Sequence, residues 1–190
     1  MKERPILFSA PMVRAILDGS KTQTRRGAIL PSDVQFHNGS AYTMRWDEGE
    51  GHHWRRDFPC PYGQPGDRLW VRETWGLHDT EPKDGPTNAR IYYRERDGHH
   101  HCMRHQKWRP SIFMPRWASR ITLEITGIRV ERLQDITNND ALAEGTPDLR
   151  TKENNWDMVR CYQELWEQIN GAGSWALNPW VWVVEFKRLA

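Results

Sequence analysis

The alternation of apolar and polar positions predicts strands and short helices without a strand–helix repeat. Pro5, Ile6, Leu7 and Phe8 predict a short first strand. Ser9, Ala10 and Pro11 then open a helix in which Met12, Val13, Ile16 and Leu17 have helical spacing and Gly19 marks the stop. Segment 20–26 leaves that helix. The turn Gln64-Pro65-Gly66-Asp67 leads into 68–75, where Leu69, Val71 and Glu73 oppose Trp70, Arg72 and Thr74, a strand with one apolar and one mixed face. A further strand is expected over 89–96. The longest β pattern covers 118–133: Ile121, Leu123 and Ile125 share one parity, Ile128 and Val130 the other, and a bulge at Gly127 restores the register and bends the strand. Thr137 and Asp140 have capping-box spacing with Asp in place of Glu, opening a short helix over 138–144 closed by Gly145. Met158, Tyr162, Leu165, Trp166 and Ile169 form one stripe of a helix that ends by Gly171, and 180–189 is a strongly apolar, β-branched strand.

Two stretches, 28–64 and 76–117, largely lack a sustained period and are expected as long loop insertions in one domain spanning 1–190. Hydrophobic residues make up 37% of the chain and mean hydropathy is -0.85, so much of it belongs in polar loops. No apolar run is long enough to cross a bilayer, and the N-terminal residues lack the apolar core of a signal peptide; a cytoplasmic protein with no membrane partner is expected. Cys60, Cys102 and Cys161 are few, odd in number and far apart, which points to reduced thiols. Net charge is +2, but 102–132 holds seven Lys/Arg against two Glu, and 134–167 holds eight Asp/Glu against three Lys/Arg. One face suited to phosphate is therefore expected.

Four groups of residues could carry chemistry. Lys21 and Thr24 place an amine and a hydroxyl three residues apart in an extended segment; a backbone turn there sets a nucleophile beside a base. Glu144, in the last helical turn before Gly145, faces the negative end of the helix dipole, which disfavours its ionised form and suits proton transfer. Trp70, Arg72, Glu73 and Trp75, with Trp108, Arg109, Arg116, Trp117 and Arg120, interleave rings and guanidinium groups as stacking on bases and pairing with phosphates require. Against that, eleven tryptophans are large apolar fillers first and ligand platforms second. His52, His53, Cys60, His99, His100, His101, Cys102 and His105 invite zinc, but no Cys-x-x-Cys or regular His spacing supports a site, so no metal is expected.

Taken in order, the helix, Asp18-Gly19-Ser20-Lys21-Thr22-Gln23-Thr24-Arg25-Arg26, Pro65-Gly66-Asp67, Asp140-Ala141-Leu142-Ala143-Glu144-Gly145 and the terminal Val181-Trp182-Val183-Val184-Glu185-Phe186-Lys187 resemble the ASCH domain. The longer 28–64 and 76–117 segments, with Trp108-Arg109-Pro110-Ser111 and Met114-Pro115-Arg116-Trp117-Ala118-Ser119-Arg120, resemble the larger ASCH proteins of phages and prophages. The resemblance implies an α+β fold, a PUA-like mixed β-barrel with flanking short helices and long loop insertions, and a nucleoside or RNA partner. Some small bacterial ASCH proteins are N4-acetylcytidine amidohydrolases, whose catalytic Lys, Thr and Glu fall on Lys21, Thr24 and Glu144. With the family's pocket in view, Arg25, Arg26, Arg72, Glu73, Trp75, Trp108, Arg109, Ser111, Arg116 and Trp117 are the expected substrate or nucleic-acid contacts. Other ASCH proteins are RNA binders or ribonucleases. The leading expectation is hydrolysis of an N4-acylated cytidine or related base without a cofactor; the alternatives are RNA binding without turnover and RNA cleavage in the same basic groove. Thr24 as nucleophile and Thr24 as hydrogen-bonding group to an attacking water fit these residues equally.

Overall fold

Apolar residues at alternate positions give the longest strands, and those strands organise everything else. The computed structural model describes residues 1–28, 59–77, 91–94, 107–150 and 156–189 in full, and the backbone of 35–37, 40–47 and 51–55. In chain order, β1 (Glu3–Leu7), α1 (Ala10–Leu17) and β2 (Gln23–Gly27) are followed by β3 (Gln35–His37), β4 (Ser40–Asp47) and β5 (Gly51–Arg55). Then come β6 (Arg68–Arg72), β7 (Trp75–Leu77), β8 (Ile91–Tyr93), β9 (Thr122–Arg132), α2 (Asn138–Ala143), α3 (Met158–Asn170) and β10 (Trp180–Arg188).

The main sheet has the order β1-β6-β9-β10-β2, parallel between β1 and β6 and antiparallel elsewhere. The bulge falls where the parity change predicts it. Glu185 pairs with Gly127 but Phe186 pairs with Ile125, so one residue of β9 is extra. Leu123, Ile125 and Val130 consequently share a core with Trp182, Val184 and Phe186 of β10 and with Met12, Val13 and Ile16 of α1. A β-carbon at Gly127 would stand 2.5 Å from Glu185 Oε2, so glycine there lets the Glu185 side chain cross the bulge.

The fold is α+β, but among the described residues the sheet is an open one and not the closed barrel expected, with β1 and β2 as its edges. The physical reason lies in β10. Its alternate residues Val181 and Val183 pack on the opposite face against Met158, Cys161, Tyr162 and Trp166 of α3. With α1 on one face and α3 on the other, both apolar faces are covered by helices and no closure is needed to bury them.

Two further expectations change. Within 28–64, β3, β4 and β5 form an antiparallel three-stranded meander, with Phe36 opposite Ala41 and Met44 opposite Trp54. Tyr42, Met44 and Trp46 alternate with Thr43, Arg45 and Asp47, a strand period short enough to be hidden among the flanking polar residues. The run 68–75 divides: β6 ends at Arg72, and Trp75 starts β7, which pairs with β8 in a separate two-stranded sheet. That sheet has its own small core of Trp75, Tyr93, Met114 and Ala118, tied by a 2.9 Å hydrogen bond from the Tyr93 hydroxyl to the Ala118 carbonyl. No described helix is long and apolar enough to cross a membrane.

Candidate active site

Backbone geometry brings residues 21 and 144 together. After α1 the chain reverses at Gly19 (φ 85°). The Lys21 amide donates to the Ala15 carbonyl at 2.9 Å, and the Thr22 amide to the Ala143 carbonyl at 2.8 Å. Lys21 and Glu144 form an isolated antiparallel bridge. On the other side α2 is fixed by its capping box: the Asp140 amide donates to Thr137 Oγ1 at 3.1 Å, and the Thr137 amide donates to Asp140 Oδ2 at 3.1 Å. Glu144 caps the C-terminus, and Gly145 ends the helix at φ +67°. A β-carbon on Gly145 would lie 2.8 Å from Ala15 Cβ and 2.9 Å from Lys21 Cβ, neither a movable side-chain end. Gly145→Ala should therefore cost about 2 kcal/mol through backbone strain and crowding, lowering Tm by roughly 4–8 °C. Thermal unfolding followed by circular dichroism checks this; an unchanged Tm would mean that the close approach to Lys21 is absent.

The side chains converge in turn. Lys21 is 3% exposed, and its Nζ donates to the Glu144 main-chain oxygen at 2.7 Å and to Oε2 at 3.1 Å. Arg25 Nη1 donates to Glu144 Oε1 at 3.2 Å, so each carboxylate oxygen meets a different cation. Burial pushes the Lys21 ammonium below its ordinary pKa; Glu144 opposes that shift, while the charges of Arg26 and Arg25 add to it. Thr24 is 4% exposed. It lines the same open cleft, of about 190 Å3, as Lys21, Arg25, Arg26 and Glu144. The remaining wall is mainly apolar: Leu7, Phe8 and Met12 on one side, Tyr162, Leu165, Trp166 and Ile169 of α3 on the other. Burial first, and the Glu144 charge second, drive the Tyr162 phenol well above its ordinary pKa, so it stays protonated. Arg26 donates from Nη2 to the Leu7 carbonyl at 2.6 Å and sits 5.3 Å from the Phe8 ring, bracing that wall.

Beneath the cleft lies a charge network. Arg25 Nη2 pairs with Glu131 Oε1 and, at 3.6 Å, with Asp140 Oδ2. Arg129 pairs with Glu131 at 2.8 Å, with Asp140 at 2.9 Å, and with Glu185. Gln23 Nε2 donates to the Asp140 main-chain oxygen and to Oδ1, both at 3.2 Å. The basic and acidic halves of the sequence are thus partly interlocked rather than set on separate faces. Burial alone would raise the Asp140 pKa, but hydrogen bonds from Thr137 and Gln23 and the Arg25 charge prevail and hold it at about 2. A carboxyl depressed in the folded state contributes stability above its unfolded pKa of about 3.9 and loses it as pH falls toward the folded value. Asp140→Asn should flatten stability between about pH 4 and pH 2. Urea midpoints across that range test it, and a wild-type slope in the variant would move the acid sensitivity elsewhere.

Of the expected binding residues only Arg25 and Arg26 line the cleft. Glu73 is buried, and both its oxygens are taken by Arg120 Nε and Nη2 at 2.9 Å each. Trp75 is buried edge-on to Trp117, with centroids 5.8 Å apart, and the Arg109 guanidinium lies 5.0 Å from the Trp75 ring. Arg72 stacks on Trp70 at 4.6 Å, and Arg116 pairs with Glu3 at 2.9 Å. Half-buried Trp108 and the one-turn helix Ser111–Phe113 belong to this second cluster by position, beside β7. Sequence reading missed the α3 wall: Ile169 continues the apolar stripe of the helix, and only the structure shows it 64% exposed and lining the cleft.

Among the described residues no group of three His, Cys, Asp or Glu side chains is placed to hold a metal ion. His99, His100, His101, Cys102 and His105, and the side chains of His52 and His53, lie outside the described residues. No family model, curated protein or solved structure matches this chain.

Proposed function

We propose that the cleft is an amidohydrolase site for an N4-acylated cytidine or a related modified base, in a PUA-like domain of the ASCH type. The observation that carries this reading is the convergence of Lys21 and Thr24 with Glu144, more than a hundred residues further along the chain, on one cleft with apolar walls. A ring-shaped ligand with few polar contacts suits such walls. The volume of about 190 Å3 lies below the ~300–1,000 Å3 of sites for drug-sized ligands, which favours an acylated base with the ribose at the mouth.

In the reaction, neutral Lys21 takes the Thr24 hydroxyl proton as the oxygen attacks the acyl carbonyl. Collapse of the tetrahedral adduct breaks the C–N bond, and the Lys21 proton passes to the departing exocyclic amine. Water then cleaves the acyl–threonine ester with the Lys21–Glu144 pair as base, releasing the carboxylic acid and restoring Thr24. A lowered Lys21 pKa supports this role, because it raises the fraction of free amine near neutrality. Attack by water hydrogen-bonded to Thr24 uses the same groups.

RNA binding without turnover is favoured by a different observation: Trp117, 43% exposed, stands with exposed Arg109 and Arg116 on the second cluster. Incubating the protein with N4-acetylcytidine and, separately, with end-labelled RNA divides the readings. Cytidine and acetate are expected from the first; intact nucleoside with bound, uncut RNA would replace the hydrolase by the binding module, and shortened RNA by a nuclease.

A further inference from the structure

We propose that Arg25 is a positioning residue of this cleft, holding Glu144 Oε1 so that Oε2 is presented to Lys21. The inference rests on the amidohydrolase reading for its kinetic consequences, but the geometry stands by itself. Arg25 is fully buried at its side chain and forks: Nη1 reaches Glu144 at 3.2 Å, while Nη2 reaches Glu131 and Asp140. The planar guanidinium links the two contacts rigidly, as a lysine ammonium would not.

Arg25 does more than share with Arg129 the neutralisation of the carboxylates behind it. Glu131 and Asp140 already pair with Arg129. What Arg25 adds is the tie between those two anchors and Glu144. A carboxylate held by Lys21 alone can rotate and exchange oxygens; one held at both oxygens by cations from two directions has a single orientation. The buried Arg25 Nε, moreover, has no hydrogen-bond partner among the described residues. An unpaired buried donor is costly, so the placement of this side chain is dictated by its forked end.

Arg25 pairs directly with Glu131 of β9 and with Asp140 and Glu144 of α2 and its cap; its charge and that of Arg26 act on Lys21 and on Tyr162 of α3, and Arg129, which also holds Glu185, shares Glu131 and Asp140 with it. Within that set Arg25 competes with Lys21 for one carboxylate and repels its ammonium. Removing the Arg25 charge should let Lys21 hold its proton to higher pH. Replacing the fork by a lysine should keep the charge and lose the orientation.

The full chain carrying Arg25→Lys or Arg25→Gln tests this by two measurements. In hydrolysis of N4-acetylcytidine, Arg25→Lys should lower kcat by about 10–100-fold with KM within about threefold, at an unchanged lower pH limb. Arg25→Gln should also move that limb to higher pH. Independently of turnover, competitive amine labelling of Lys21 across pH, read by mass spectrometry, should show a raised midpoint in Arg25→Gln and a wild-type midpoint in Arg25→Lys. Wild-type kcat and pH limb in both variants would overturn the proposal, as would equal labelling midpoints in all three proteins. If the wild type does not hydrolyse the nucleoside at all, the functional reading fails and the labelling still decides Arg25. If Arg25→Gln does not fold, the kcat and KM of Arg25→Lys decide it.

Discussion

Thr24→Ala is expected to cut the proposed hydrolysis of N4-acetylcytidine by a factor of about a hundred or more while leaving the fold in place. The hydroxyl is the only oxygen nucleophile the proposed covalent route has, and it borders the cleft rather than the interior of either core. Truncation there deletes one hydroxyl and one methyl beside existing open space, so Tm should fall by only a few degrees. The pH dependence adds a signature. Because the proposed route needs neutral Lys21 to take the proton, the rate of the wild-type protein should rise with pH through the Lys21 pKa, which burial holds below the ordinary lysine value. Chromatographic separation of cytidine from its acetylated form over a range of pH gives both quantities. Undiminished turnover by Thr24→Ala would eliminate the acyl–threonine intermediate and leave direct attack by water.

Glu144→Gln has the larger effect on stability. Glu144 is 3% exposed and faces Lys21 at 3.1 Å and Arg25 at 3.2 Å, both buried. Removing its charge strands an ammonium in a low-dielectric site. Breaking a buried pair from one side costs about 3–5 kcal/mol, equivalent to a Tm loss of roughly 6–20 °C for a chain of this length. Lys21→Met combined with Glu144→Gln should recover part of that loss, since no lysine charge is then left without a partner, and the recovery should appear as a coupling energy in a double-mutant cycle. Urea unfolding of the four proteins measures it. A cost below about 1 kcal/mol for Glu144→Gln would show that water reaches the pair.

The local devices of this fold were legible in the sequence because each depends on residues a few positions apart. The Gly127 bulge shows as a change of parity, the α2 cap as Thr137 and Asp140, and α3 as a stripe from Met158 to Ile169. Lys21 and Thr24 on one side and Glu144 on the other were each visible as candidates, but only the resemblance joined them, since Lys21 and Glu144 are 123 residues apart and no local pattern links them. Arg25 is instructive. The resemblance makes it a substrate or nucleic-acid contact, and it lines the cleft, but its guanidinium is engaged by Glu131, Asp140 and Glu144, partners supplied by β9 and α2 that no local pattern shows. The engagement of Glu73 and Trp75 was hidden for the same reason: their partners Arg120 and Trp117 come from a distant segment. The open sheet did leave a trace, because Val181, Trp182, Val183 and Val184 are apolar without alternation, as in strands covered on both faces.

β2, which carries Thr24 and Arg25, has β10 as its one sheet neighbour among the described strands. During synthesis the ribosome delivers β2 early and β10 some 150 residues later, an interval of roughly 8–30 s at 5–20 residues per second. Throughout that interval the segment holding Thr24 has no edge to dock on, and α1 has only part of its core. The cleft therefore cannot assemble stepwise from the N-terminus. With this strand order the cleft should be completed only when residues 180–188 emerge and enter between β9 and β2, so nascent chains lacking that strand should hold no preformed site.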